Sequence, residues 1–237
     1  MLTTGLPERR VVEVTDERSR LARRSLELIQ EAIWDVHPIG YLLAELEETR
    51  RGLAHGGEYH LLAMVEPGEE EPLAAAAGCY LQAVNSGFVA YLAVREEQRG
   101  RGLGRELREH LLEAFREQAR GEGGGELART LGEVRRDSEW LRMLVREGRV
   151  IPLELRYLHP WMSRRGERKY VLYCEPMADP RRELPAEEVA RMIDAIYRRA
   201  YRIRNPRQRE NFRYMMEQLE ERERVGPDPE FLPLLPS

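Results

Sequence analysis

Residues 92 to 104 read Leu-Ala-Val-Arg-Glu-Glu-Gln-Arg-Gly-Arg-Gly-Leu-Gly. Three of these, Gly100, Gly102 and Gly104, let the backbone approach a ligand with no Cβ in the way. Arg99 and Arg101 add positive charge at the same place. Leu103, Leu107, Leu111, Ala114 and Phe115 then recur at helical spacing, with Arg105, Glu106, Arg108 and Glu109 between them. The first turn of such a helix carries N–H groups with no acceptor inside the helix, and its dipole end is positive. The chemistry this pattern suits is the holding of an anion, a phosphate or diphosphate, on main-chain donors.

The element before it must be a strand. Gly87 to Val94 is a short apolar run rich in aromatic and β-branched residues, as expected of a strand buried on both faces. Strand, glycine turn and helix is an order shared by several nucleotide sites, but the usual fingerprints fail. Gly-x-x-x-x-Gly-Lys-Ser/Thr is absent, and the chain has a single lysine, Lys169. Started at Gly100 or Gly102, the pattern Gly-x-Gly-x-x-Gly would need its third glycine at Arg105 or Leu107.

What is present is Arg99-x-x-Gly102-x-Gly104, shortly after Leu92-Ala93-Val94. This resembles the acyl-CoA signature of the GNAT superfamily of N-acetyltransferases, Gln/Arg-x-x-Gly-x-Gly/Ala. The resemblance implies an α/β fold on a mixed sheet, the acyl-CoA N-acyltransferase fold, here with a C-terminal helical extension. It implies acetyl-CoA as co-substrate, without a metal, and direct transfer of the acetyl group to an amine of a small molecule or a protein. It makes Leu92, Ala93 and Val94 the backbone partners of the pantetheine arm. Arg99, Gly100, Arg101, Gly102, Leu103 and Gly104 become the diphosphate loop. A main-chain N–H on that strand would polarise the thioester carbonyl.

The side chains expected to move protons are where the sequence departs from the family. Many members carry an acidic residue near the position of Phe88, and a tyrosine at the position of Leu144. Tyr157 and Glu154 are the substitutes nominated here, ahead of Tyr80, His60 and His159, each of which has a structural role as its plainer account. The missing pair also sustains an alternative, a non-catalytic acyl-CoA-binding or protein-interaction module on the same fold.

Size and composition set outer bounds. The chain has 237 residues, 42% hydrophobic and 34% charged, with a net charge of −4 and a mean hydropathy of −0.61. No apolar run approaches the ~20 residues of a membrane span, and the first residues lack a signal-peptide core, so a cytoplasmic protein with no membrane partner is expected. The net acidity argues against a nucleic-acid partner. Cys79 and Cys174 stand alone in apolar runs, and the five histidines are scattered, which argues against disulfide and metal chemistry.

In order, the patterns predict a strand at 10–15 and a helix capped by Thr15 or Asp16, then a second helix from 39 to 53 with Leu53 inward, ended by Gly56-Gly57. Strands at 59–66 and 73–82 follow, the second weakened by the run Ala74–Ala77. After the glycine loop come a strand within 127–134, a helix over 138–147, a strand over 149–158 that Pro152 places at an edge or bulge, and a last strand at 170–174. The segment from Trp34 to Leu53 and the loop around Trp161 are expected to line the acceptor pocket. Residues 9–177 are read as the acetyltransferase domain. Residues 183–237 are read as a helical arm with a Pro-rich tail, its first helix opening with Pro185 at N1 and its second restarting at Asn205-Pro206. The arm serves for packing or as a homodimer surface.

Overall fold

A computed structural model describes residues 9–161 and 169–236. The chain divides into two compact units, Met1–Tyr80 with Val89–Gln118, and Leu81–Phe88 with Ala119–Ser237.

The first unit holds β1 (Arg10–Glu13), α1 (Arg20–Ala32), α2 (Ile39–Arg50), β2 (Tyr59–Val65), most of β3 (Ala74–Leu81), the second part of β4 (Ser86–Val94) and most of α3 (Leu103–Gly121). β1, β2, β3 and β4 are hydrogen-bonded neighbours in that order. β1 pairs antiparallel with β2, Val12 opposite Ala63, and β2 pairs antiparallel with β3, Leu62 opposite Ala76. All eight residues of β3 are buried. Alanine is a poor strand former in isolation, but here its small side chains sit opposite Leu61 and Leu62, so burial overrides propensity.

Two helix boundaries differ from expectation. α1 is capped by Ser19, whose Oγ accepts the Ala22 N–H at 3.1 Å, because Asp16 is spent on its own turn: its Oδ1 accepts the Arg18 N–H at 3.0 Å. α2 stops at Arg50 because Gly52, at φ +66°, already turns the chain into the left-handed region. Leu53 therefore lies beyond the helix, 46% exposed.

The second unit holds β5 (Arg129–Arg135), α4 (Glu139–Arg146), β6 (Ile151–Pro152) and β7 (Tyr170–Pro176). It also holds β8 (Leu184–Pro185), α5 (Ala186–Ala195), α6 (Glu210–Glu220) and β9 (Arg224–Val225). The strand order continues β4-β5-β7-β6, with β8 and β9 forming a separate antiparallel pair. α5 begins at Ala186, one residue after Pro185, and Pro206 opens a short 3₁₀ turn ahead of α6. The loop expected around Trp161 continues into residues 162–168, which lie outside the described residues.

The strand expected over 149–158 shortens to Ile151–Pro152. Proline has no N–H for a ladder, and the chain then folds on itself: the Leu155 N–H donates to Leu153 O at 2.7 Å and the Tyr157 N–H to Leu155 O at 2.9 Å. The C-terminal tail supplies the bonds the strand would have made. Glu154 N–H donates to Gly226 O at 2.9 Å, Asp228 N–H to Pro152 O at 2.8 Å, and Leu153 bridges Pro227. Phe231 enters the core of Leu141, Leu144, Val145, Val150, Val171 and Tyr173, and Arg136 pairs with Asp228 and Glu230 at 2.6 and 2.7 Å. The arm is thus packed into the second unit along much of its length.

Candidate functional site: a glycine loop and a buried polar cluster

β4 delivers the chain to a loop that is fixed at its start and open at its tip. Arg95 is held from three sides, by its N–H on Leu73 O at 3.0 Å, its Nε on Pro72 O at 2.6 Å and its Nη2 on Glu71 at 3.0 Å. A 3₁₀ turn, Glu96–Gln98, follows, and the Arg99 N–H closes it on Glu96 O at 3.2 Å. Gly100 and Gly102 then adopt φ of +77° and +80°, and a Cβ at either would meet nothing within 4 Å. Their role is therefore conformational: an L side chain would be strained there by backbone alone, while the space beside the loop stays open.

α3 starts at Leu103, so Leu103 and Gly104 are its first two residues. Leu103 is 1% exposed and pins the helix end, leaving residues 99–102 on the surface. Arg101 is steadied by Gln98 at 2.9 Å and Arg99 by Val94 O at 3.3 Å. Glu106, the one carboxylate in the first turn, is neutralised by Arg9 at 2.7 Å. The loop thus combines the N-terminal end of α3, two guanidinium groups and a paired acid, which together favour an anion. Arg108, one of the charged residues between the apolar positions of α3, is 1% exposed.

The nominated side chains Tyr157 and Glu154 belong to the second unit and sit in contrasting surroundings. Glu154 is exposed. Tyr157 is fully buried. Burial first, and then the charge of Glu133 nearby, push its phenol well above the usual tyrosine range, so it keeps its proton. Glu133, on β5, faces His159 across 3.5 Å. Because the Trp161 N–H donates to His159 Nδ1 at 3.4 Å, a neutral imidazole carries its proton on Nε2, toward Glu133. The Tyr197 hydroxyl donates to Leu158 O at 2.5 Å, Asn211 donates to His159 O at 2.9 Å, and the His159 ring meets that of Tyr201 edge-on at 4.9 Å. Glu133 and Tyr197 were not foreseen. A carboxylate between Gly132 and Val134, in a run otherwise suited to a strand, was the only signal.

The other candidates fall to structural roles. His60 is bracketed by Glu13 at 2.7 Å and Gln118 at 3.1 Å. Tyr80 is 1% exposed, Phe88 is 1% exposed, and Leu144 lies within the Phe231 core. Among the described residues no group of three His, Cys, Asp or Glu side chains could hold a metal ion, and no helix is long and apolar enough to cross a membrane.

Comparison with known proteins agrees with this geometry. Residues 26–128 match the sequence profile of the acetyltransferase (GNAT) family. No curated protein sequence matches the chain. The ribosomal-protein-S18-alanine N-acetyltransferase of Escherichia coli is similar in structure, with a TM-score of 0.50 at 13% identity over 71% of this chain and 94% of its own. A GNAT-family protein of Desulfovibrio desulfuricans gives 0.52 at 16% identity over 71% and 99%. A NatC complex solved with a Gag peptide and CoA gives 0.51 at 12% identity over 72% and 99%. The profile match covers 26–128, less than half of the chain, and takes in β2, β3, β4, the glycine loop and α3, and these neighbours share the α/β fold.

Proposed function

We propose that this protein is an N-acetyltransferase that binds acetyl-CoA through Arg99–Gly104 and passes the acetyl group directly to an amine of a small molecule or a protein. The observation that carries the reading is the loop itself: two left-handed glycines with open space beside them, flanked by two arginines, leading into the first turn of α3. CoA is present in the structurally similar NatC complex, together with a peptide.

In this reading the backbone of Leu92, Ala93 and Val94 pairs with the pantetheine arm as an added strand. The neutral amine attacks the thioester carbonyl, the C–S bond breaks, and CoA leaves as a thiolate that takes up a proton. Tyr157 is proposed as the acid, since burial keeps its phenol protonated and it therefore has a proton to give. Glu154, exposed to solvent, is proposed as the group that relays the amine proton.

Isothermal titration of Gly102→Glu with acetyl-CoA tests the binding half. The carboxylate would project into the anion site, and affinity is expected to fall by more than about a hundredfold with the fold retained. Wild-type affinity in the folded variant would overturn the loop assignment. A thiol-release assay over an amine panel tests the transfer half. Tyr157→Phe is expected to lower turnover by about a hundredfold. The second reading, acyl-CoA binding without transfer, draws on Phe88 and Leu144, both buried among apolar residues where many relatives of the family carry proton-handling side chains. It predicts tight acetyl-CoA binding and no thiol release on any amine.

A further inference from the structure

The connection between α5 and α6 gathers charge that the rest of the protein does not balance. Residues 198–213 contain seven arginines and one acid, Glu210, a net +6. The whole chain is −4, so everything else sums to −10. Elsewhere arginines are commonly paired, as in Arg24 with Glu27, Arg50 with Glu17 and Arg149 with Glu175. Among the described residues Arg204, Arg207, Arg209 and Arg213 have no carboxylate partner, and all four are exposed.

The backbone explains why they stand out. After α5 the helix widens into a π turn, Ile196–Ala200, closed by the Tyr201 N–H on Ile196 O at 3.2 Å and the Ile203 N–H on Tyr197 O at 2.9 Å. Arg202 sits at φ +51°, a region costly for a residue with a side chain. Along this stretch Tyr201, Ile203 and Pro206 are buried, while Arg204, Arg207 and Arg209 between and after them are exposed. The Arg209 guanidinium lies 5.6 Å over the ring of Trp161, which is itself 57% exposed, a large aromatic surface left to solvent beside unpaired cations. Arg213 caps the same turn by donating to Arg207 O and Gln208 O at 3.3 Å.

We infer that this arginine turn with Trp161 is a docking surface for a short acidic peptide segment of a partner protein. Exposed arginine beside tryptophan is the pairing that concentrates energy in protein interfaces. The charge balance selects the partner. A peptide with a few carboxylates fits within the +6 turn. A nucleic-acid strand extends its phosphates beyond it, toward a remainder of −10. The surface is independent of the acyl-CoA loop, so failure of one assignment leaves the other standing.

The test is fluorescence anisotropy of the full chain with a labelled decaglutamate peptide, and with labelled ten-residue oligouridylate in parallel. The peptide is expected to bind at low salt, more tightly than the oligonucleotide, and to be released as salt rises. Arg204→Gln/Arg207→Gln, which removes no bond within the described residues, is expected to weaken binding severalfold, and the four-arginine variant by about tenfold or more. Trp161→Ala should cost about threefold. The thermal melt of Arg204→Gln/Arg207→Gln is expected to match wild type, and the four-arginine variant, which also loses the Arg213 bonds to Arg207 O and Gln208 O, is assayed at a temperature where its melt shows it folded. The proposal is overturned if the peptide does not bind, if the arginine variants bind it unchanged, or if the oligouridylate binds more tightly at the same turn.

Discussion

Arg95–Gly102 and Leu153–Trp161 both carry the chain out of a strand without regular structure, and they do so by opposite means. The first uses glycine. It holds its shape through Arg95 and one 3₁₀ turn, keeps its tip on the surface, and leaves open space at Gly100 and Gly102. The second uses bulk. Leu153, Leu155, Tyr157, Leu158 and His159 are all buried, and the backbone groups they leave over are taken by the tail and by Tyr197 and Asn211. The loop proposed to meet a ligand stays accessible at Gly100 and Gly102, whereas the segment that holds the arm has its backbone polar groups taken up within the second unit.

The strongest way to break that contrast is to remove a residue on which the second segment depends. Phe231→Ala deletes a ring that is 2% exposed among Leu141, Leu144, Val145 and Val150. The expected cost is about 3–5 kcal/mol in urea unfolding, with acetyl-CoA affinity of the folded fraction unchanged. A loss below about 1 kcal/mol would mean that the tail is not part of the second unit's core.

Glycine substitutions sharpen the comparison further. On β5, Gly132 faces Tyr173 in register, and an added Cβ would overlap the tyrosine ring. Gly132→Ala is expected to destabilise by about 2 kcal/mol through overpacking. At Gly102 no atom lies within 4 Å, and only the φ of +80° opposes a side chain. Gly102→Ala should therefore cost only about 1 kcal/mol, and weaken acetyl-CoA less than the glutamate does. Equal costs at the two glycines would erase the distinction between an open and a filled position.

This contrast also explains what could be read ahead of the structure. The loop was legible because its determinants are local: Arg99, Gly102 and Gly104 lie within six residues, and the periodicity of Leu103 to Phe115 carries straight on. The helix over 139–146 was legible for the same reason, with Ser138 as its cap. The segment from 149 to 158 looked like a strand because Val150, Ile151 and Leu153 have strand-forming side chains. Its partners, Gly226 and Asp228, lie far along the chain, and no local pattern announces them. Glu133 and His159 met for the same non-local reason. Ala74–Ala77 shows the reverse, where tertiary burial made a strand of residues that favour helix.

The smallest expected effect separates the two histidines that face carboxylates. In the first unit, burial lowers the His60 pKa, but the hydrogen bonds its ring donates to Glu13 and Gln118 outweigh it, and the net shift is upward from 6.5. The hydrogen bond to His60 holds Glu13 below 4.5 against the opposing effect of its burial. A raised histidine pKa stabilises the fold fully below about pH 6.5 and loses that contribution as pH rises through the folded value. A lowered glutamate pKa stabilises above about pH 4.5 and loses it as pH falls. The pair therefore contributes most between about pH 4.5 and 6.5. Glu13 is 48% exposed along its side chain, so solvent screening limits the contribution to about 0.5 kcal/mol. Urea midpoints measured from pH 4 to 9 should show this as a shallow maximum that Glu13→Gln and His60→Gln each flatten. A Glu13→Gln profile superimposable on wild type would show that the first unit's histidine is held by packing against Phe115 and not by charge, and the difference drawn between the two units would then rest on their backbones alone.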